Sequence, residues 1–372
     1  MKKIGLATFY DDNFGTCLQA YALQKTLIDL GYDVKIIRYS RCDQQISKQT
    51  NIQKITRYSP VVVLNYIRNY KSIQIRKQAF ADFRKNNLIF NEHSTFYRDS
   101  DLSHLQDEYD VLVCGSDMMW SSQFKDDWYY YMLGFADKDK SIAYSPSFGR
   151  NFLTEGEIKT MSPLISNIKS LSCRELAGAD LIKSNFGLEA LHTADPTLLL
   201  GQKDWNDMIN DKSSLIKGDY ILTYSFLGTA KKGRYKIFNQ FKSGEKGQLV
   251  ILSGAEKEFK KYSYTGYAGP IEFVRLYRDC KFVITDTYHG LLFALIFKKP
   301  FIVLDKSPFG VTADRLLSTL KYFGLEDRYV TYDTSIDDRL LNIDYSTISP
   351  LMDRQRQLSI EYLQRALSNA TK

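Results

Sequence analysis

KFVITDTYHGLL, residues 281–292, sets a strand-like apolar run against a polar turn and then against a second apolar run. Lys281 to Thr285 is rich in β-branched and aromatic residues and reads as a strand. Gly290 to Phe297 is apolar on every helical face and reads as a core helix. Between them stand a carboxylate, two hydroxyls and one of only four histidines in the chain. A turn at the carboxyl end of a parallel strand is where open α/β sheets hold their ligands. The competing reading is that Asp286 and Thr287 only cap the helix and that His289 fills surface space.

The same alternation runs outward in both directions. KKIGLATF (2–9), CLQAYALQKTLIDL (17–30) and DVKIIRY (33–39) read as strand, helix and strand, with YDDNFGT (10–16) as the polar turn and Gly31 ending the helix. That turn lacks G-x-G-x-x-G, so it gives no dinucleotide signature. Strands DVLVC (110–114), SIAYS (141–145) and SLSC (170–173) follow, with helices from about 154 and from Glu175. A second series opens at YILTYSFLG (220–228). It continues through QLVILSG (248–254), PIEFVRLYRDC (270–280), the opening stretch and PFIVLD (300–305). The fold class expected is α/β: two doubly wound Rossmann-like domains facing a cleft. Residues 1–200 form the first, with a basic helical insertion at about 41–100, and residues 201–345 the second. A C-terminal helix, 346–372, packs back on the first.

Composition bounds the class. At 372 residues, 44% hydrophobic and 25% charged, the chain has the make-up of a soluble globular protein with ample core. No stretch approaches the ~20 apolar residues of a membrane span. The start, MKKIGLATFYDDN, meets acids after a short apolar run, so neither a signal peptide nor an anchor is expected. Five scattered cysteines without C-x-x-C or histidines at metal spacing favour reduced thiols in the cytoplasm over disulfides or a zinc site. The net charge of +7 is local. Residues 41–85 hold ten Lys/Arg against Asp43 and Asp82, a balance of +8. Such an arm suits a phospholipid surface, a lipid-linked diphosphate or nucleic acid, or is simply a solvated helical face.

Four strand-end turns share one character: YDDNFGT (10–16), GSDMMW (115–120), SCRE (172–175) and TDTYHG (285–290). Each offers hydroxyls, backbone N–H groups or a charge at a helix entrance, which is an anion-receiving geometry. Arg174 ends its strand where a guanidinium fork could hold a carboxylate or phosphate. Asp117, Asp286, Asn13 and Gly15 each also have a plain reading as caps or turn residues. His93, His104 and His192 look incidental.

The ordered set of blocks resembles the polysaccharide pyruvyl transferases. The resemblance lies in NFGTCLQAYALQ (13–24), VCGSDMMW (113–120), AYSPSFG (143–149), SLSCRELAGADLIKSNFG (170–187) and ADPTLLL (194–200). It continues through GPIEFVRLYRDCKFVITDTYHGLLFALIFKKPF (269–301) and ADRLLSTLKYFGLEDR (313–328). It implies a GT-B-like architecture and transfer of the enolpyruvyl part of phosphoenolpyruvate onto a sugar as a cyclic ketal. It also implies donor contact by Arg174 and His289. Thr287-Tyr288-His289-Gly290 stands for the family's usual Ser-Phe-His or Ser-Tyr-His-Gly, and Met118-Met119-Trp120 for its Gln-Ile-Trp.

Ketal formation needs the donor's carboxylate and phosphate clamped, a proton delivered to its methylene carbon, and a base for two attacking hydroxyls. His289, Asp117 and Asp286 are the catalytic candidates, the histidine as acid and either carboxylate as base or as its orienter. Arg174, Asn13, Gly15, Ser116, Thr287 and Gly290 are the binding candidates. Beyond phosphoenolpyruvate as donor substrate no cofactor or metal is expected. The acceptor expected is a hexose, lipid-linked, of an exopolysaccharide or capsule pathway. The protein is expected to be cytoplasmic, with peripheral membrane contact through residues 41–85 and no nucleic-acid partner. The alternatives are a GT-B glycosyltransferase using a nucleotide sugar, and a non-enzymatic basic protein that binds membrane or nucleic acid.

Overall fold

The computed structural model describes residues 1–39, 60–92, 101–210, 213–225, 231–241, 248–252, 263–264, 267–307 and 313–370. Residues 41–59 of the basic arm, with Cys42, lie outside the described residues, as do His93 and Gly228. Short helical turns aside, the first elements are β1 (Lys3–Ala7), α1 (Phe14–Asp29), β2 (Asp33–Ile36), α2 (Pro60–Asn87), β3 (Val111–Cys114) and β4 (Ser141–Ala143). They continue with α3 (Glu155–Ser166), β5 (Ser170–Cys173), α4 (Leu176–Phe186) and β6 (Leu191–His192). Then follow α5 (Gln202–Ile209), β7 (Tyr220–Tyr224), α6 (Lys231–Gln240), β8 (Gln248–Ile251), β9 (Ser263–Tyr264) and α7 (Pro270–Asp279). The last are β10 (Phe282–Thr285), α8 (Tyr288–Ile296), β11 (Phe301–Leu304), α9 (Asp314–Phe323), β12 (Tyr329–Val330) and α10 (Tyr345–Ala370).

Contacts divide the chain into two compact units. Met1–Gln49, Arg84–Leu200 and Pro350–Lys372 make the first, and Thr50–Phe83 with Gly201–Ser349 the second. Each unit is built on a six-stranded parallel sheet, in the orders β2-β1-β3-β4-β5-β6 and β12-β11-β10-β7-β8-β9. The central strands VLVC, FVIT and FIVL are buried at every residue. Such continuous apolar runs need both sheet faces covered, which parallel crossover helices provide. In both orders the chain reverses direction once, between β1 and β3 and between β7 and β10. Those two places are the topological switch points, where the strand ends leave a crevice.

Helix starts are set by side-chain caps. The Asn13 side chain accepts from the Thr16 amide at 3.3 Å, so α1 begins at Phe14 rather than at the expected Cys17. Thr154 and Glu157 form a capping box at the start of α3. α8 is buried from Tyr288 through Ile296, the mark of a core helix without a polar face. The short edge strands β6, β9 and β12 have two residues each, too few for a sequence period to reveal.

The end of the chain belongs to the first unit's core. Tyr362 donates to the Ala143 carbonyl of β4 at 2.9 Å, and the Ser359 hydroxyl accepts from the Ala194 amide at 2.8 Å. Tyr362, Leu363, Ala366 and Leu367 are part of that core. Leu363 has no solvent exposure. Leu363→Ala should therefore cost about 2–5 kcal/mol, as buried leucine truncations do. Urea unfolding of the full chain measures it, and a loss below ~1 kcal/mol would mean that α10 is only loosely attached.

Candidate functional site

The first switch point opens into a cavity of about 190 Å³. It is lined by Phe9, Asp11, Asn13 and Thr16 from the β1–α1 side, and by Asp117, Met118, Gln123, Phe124, Asp127 and Tyr131 from the chain after β3. Asp117 sits at a φ of 76°, a left-handed conformation that costs a non-glycine residue of order 1–3 kcal/mol. Several contacts hold it there. Its carbonyl accepts from the Ser147 amide at 2.8 Å. Its carboxylate accepts from the Thr16 hydroxyl and from Nη1 of Arg174, each at 3.3 Å. Asp117 thus ties together the turns after β1, β3, β4 and β5 and does more than cap one of them.

Arg174 does not line this cavity. Its side chain has no solvent exposure. Nη1 also donates to Asp195 at 3.0 Å, and Nε donates to Glu175 at 3.0 Å. The guanidinium that sequence reading set against a donor anion is surrounded instead by three carboxylates of its own unit. Ser116 is fully buried and donates its hydroxyl to the Ser145 carbonyl at 2.6 Å, and neither it nor Gly15 lines the cavity. Asn13 both caps α1 and lines the cavity. Met118, where the family's usual glutamine is absent, forms part of the wall.

Asp11 is the residue that sequence reading passed over, although it stood in the quoted turn YDDNFGT. Its carboxyl is pushed up to about 6, chiefly by burial. The negative charges of Asp117 and Asp12 add to this; the nearby Thr16 hydroxyl and the charge of Arg84 oppose it. Arg84, on α2, donates to Asp12 at 2.6 Å, so this member of the basic arm braces the β1 turn.

The second switch point has the opposite sign. The Ser225 hydroxyl, just past β7, donates to Asp286, just past β10, and Asp286 is fully buried. The helix cap is Thr287 rather than Asp286: its hydroxyl accepts from the Gly290 amide at 3.0 Å. His289 lies in the first turn of α8, 9% exposed, beside the Tyr288 ring. Gly290 is required by packing, because a Cβ there would stand 2.2 Å from the Thr285 hydroxyl and 2.5 Å from that of Thr287.

Two cations that sequence reading did not single out stand nearby. The guanidinium carbon of Arg315 lies 5.7 Å from the Tyr288 ring centroid. The Lys306 ammonium is held below the usual lysine value, first by burial and also by the charge of Arg315, while Asp286 pulls the other way. Position at a strand end could have flagged Lys306, which directly follows PFIVLD. Among the described residues no group of three or more His, Cys, Asp or Glu could hold a metal ion, and no helix is long and apolar enough to cross a membrane.

Two parallel-sheet α/β units with polar clusters at both switch points define a GT-B-like protein, and known structures agree. A putative UDP-N-acetylglucosamine 2-epimerase from Listeria monocytogenes is similar over 98% of this chain and 95% of its own, with a TM-score of 0.51 at 10% identity. UDP-GlcNAc 2-epimerase from Methanocaldococcus jannaschii matches over 98% and 99%, with a TM-score of 0.50 at 13% identity. At such identities the likeness is one of fold. No curated protein matches the chain. The model of the polysaccharide pyruvyl transferase family matches residues 13–308, and the chain belongs to that family. It is therefore a transferase enzyme, and the non-enzymatic alternative falls away.

The displaced titration of Asp11 has a consequence for stability. Its folded value, about 6, lies above the ordinary 3.8, so the buried charge costs stability above pH 6 and costs nothing below 3.8. Asp11→Asn should gain stability over the wild type as pH rises through that window, by about 1–3 kcal/mol at pH 8. Denaturation at pH 4 and pH 8 measures it. An equal difference at both values would place Asp11 in an ordinary, solvated setting.

Proposed function

We propose that the chain transfers the enolpyruvyl part of phosphoenolpyruvate to a hexose of a cell-surface polysaccharide or its lipid-linked precursor, closing a cyclic pyruvate ketal. Membership of the family supplies the reaction class. The single structural observation behind the donor assignment is the placement of Arg315 5.7 Å from the Tyr288 ring at the start of α8, with the Lys306 ammonium within its electrostatic reach. A part-buried lysine depressed by burial and by a neighbouring cation is stabilised by a bound anion, and the first amides of a helix receive phosphate or carboxylate. Thr287, His289 and Gly290 belong to that helix start. Arg174 enters as the residue that positions Asp117.

The atoms balance without a further cofactor. Protonation of the donor's methylene carbon makes C2 electrophilic, and two acceptor hydroxyls form two C2–O bonds as the C2–O bond to phosphate breaks. Of the two hydroxyl protons lost, one is matched by the proton now on the methyl carbon and the other leaves with phosphate. His289, at the helix start, is the group assigned to deliver the carbon-bound proton, and Asp286 orients the basic side of the site through Lys306.

Phosphoenolpyruvate should raise the melting temperature of the purified protein, and UDP-sugars should not. His289→Gln should lower ketal formation by ~10²–10⁴-fold while keeping part of the donor binding. Proton NMR of the new pyruvate methyl group reads the turnover. Stabilisation by UDP-sugars alone would favour a nucleotide-sugar glycosyltransferase. Near-normal turnover in His289→Gln would leave the histidine as a helix-start residue only.

We also propose that the protein works at the inner face of a membrane, where a lipid-linked acceptor would lie. On α2, Tyr70 is 52% and Ile75 45% exposed, beside the exposed Lys71. Lys71→Glu combined with Lys77→Glu should weaken sedimentation with anionic liposomes, and added salt should weaken it in the wild type. Equal sedimentation of variant and wild type would return this helix to a solvated face.

A further inference from the structure

We propose that the cavity at the first switch point seats the acceptor sugar and that Asp11 is the base that takes its hydroxyl proton. This assignment rests on the pyruvyl-transfer reading above.

The cavity has the two-sided lining that a sugar ring asks for. Phe9 packs against Phe124 and Tyr131 with ring centroids 4.7 and 4.6 Å apart, giving an aromatic wall for the C–H face of a pyranose. Asp11, Asn13, Asp117 and Gln123 offer polar groups for its hydroxyls. The cavity, about 190 Å³, thus sets an aromatic side against a polar one at the end of the first sheet. Neutral, hydroxyl-rich ligands suit a carboxylate-rich pocket, whereas the polyanionic donor does not.

Asp11 and Asp117 divide the work unequally. The Asp117 carboxylate is already engaged by Nη1 of Arg174 and by the Thr16 hydroxyl. Oδ1 of Asp11 is buried and accepts no hydrogen bond among the described residues. A shielded acceptor of this kind is costly unless a ligand donor fills it, and a sugar hydroxyl is such a donor. The groups that face Asp11 are Asp117 from the turn after β3, Asp12 beside it, Thr16 and Cys17 on α1, Arg84 on α2 and Asp127 across the cavity. Burial first, and then the charges of Asp117 and Asp12 against Thr16 and Arg84, push Asp11 up to about 6, close to neutrality, where a general base is most effective. In the step itself the hydroxyl O–H bond breaks, its proton passes to Asp11, and its oxygen pair forms the bond to C2 of the donor. Asp11 returns that proton to solvent, which in turn protonates the released phosphate, before the second hydroxyl reacts.

Asp11→Asn should lower ketal formation by ~10²–10⁴-fold and leave phosphoenolpyruvate affinity within about twofold of the wild type. The acidic limb of the kcat/KM profile near pH 6 should disappear in Asp11→Asn and persist, displaced, in Asp11→Glu. Wild-type turnover in Asp11→Asn with an unchanged acidic limb would overturn the assignment while the pyruvyl-transfer reading stands. An independent readout uses methyl hexosides alone, by saturation-transfer NMR on the full chain. Signals present in the wild type and lost in Asp11→Asn and Phe124→Ala support the sugar subsite even if phosphoenolpyruvate proves not to be the donor. Signals absent from the wild type, or equal in all three proteins, would sink it.

Discussion

The guanidinium of Arg174 places one positive charge where water does not reach it, and three carboxylates converge on it. Removing each ion from water costs on the order of several kcal/mol, which only close, hydrogen-bonded partners offset. Asp195, itself unexposed, accepts from Arg174 and from both the amide and the hydroxyl of Thr197, at 3.0 and 2.8 Å. Glu175 and Asp117 complete the set. The cluster fixes the relative positions of the turns after β3, β5 and β6. Buried hydroxyls extend it: Ser172 accepts from the Ser145 amide at 2.8 Å and from the Thr193 hydroxyl at 2.9 Å.

One carboxylate of the cluster also lines the cavity. Asp117 is the link, since it pairs with Arg174 on one side and raises Asp11 on the other. The chemistry of the first sheet's switch point follows from a packing constraint several residues away. Its electronegative character favours proton acceptance from a neutral hydroxyl. The second sheet, with Lys306 and Arg315 near the start of α8, has the character that an anion needs. The same crevice geometry thus carries opposite chemistry in the two units, because different side chains stand at the ends of the strands.

The fold was legible wherever strands were long enough to run apolar. β3, β10 and β11 lie where DVLVC, KFVIT and PFIVLD set them, because buried parallel strands leave an unbroken hydrophobic signature. The start of α1 was not legible, since Asn13 in YDDNFGT reads equally as a turn residue and as a cap. Positions of interest were visible as strand-end turns, but the partners of each side chain were not. Arg174 could be placed at the end of β5 from SCRE. Its enclosure by Asp117 and Asp195 depends on contacts across 57 and 21 residues of sequence, which no local pattern encodes. Asp11 and Lys306 were hidden for the same reason: their character comes from burial and from neighbours supplied by other elements.

The break from strand to polar turn in KFVITDTYHGLL has a mechanical cause as well as a chemical one. Thr285 donates its hydroxyl to the Tyr224 carbonyl of β7 at 2.7 Å and accepts from the Thr287 amide at 3.1 Å. The Thr285 and Thr287 hydroxyls are 3.0 Å apart, and Thr287 then receives the Gly290 amide. This ladder of hydroxyls carries the hydrogen bonding of β10 into the first turn of α8 without an unpaired step. It leaves no room for a side chain at position 290, so the glycine follows from the threonines and not from the approach of a ligand. Because the ladder satisfies the Gly290 amide, an incoming anion is left with the other early amides of α8 and with the cations beside them. Under the proposed donor assignment, recognition at this helix start would rest on His289, Lys306 and Arg315 more than on backbone donors, the reverse of a glycine-rich phosphate loop.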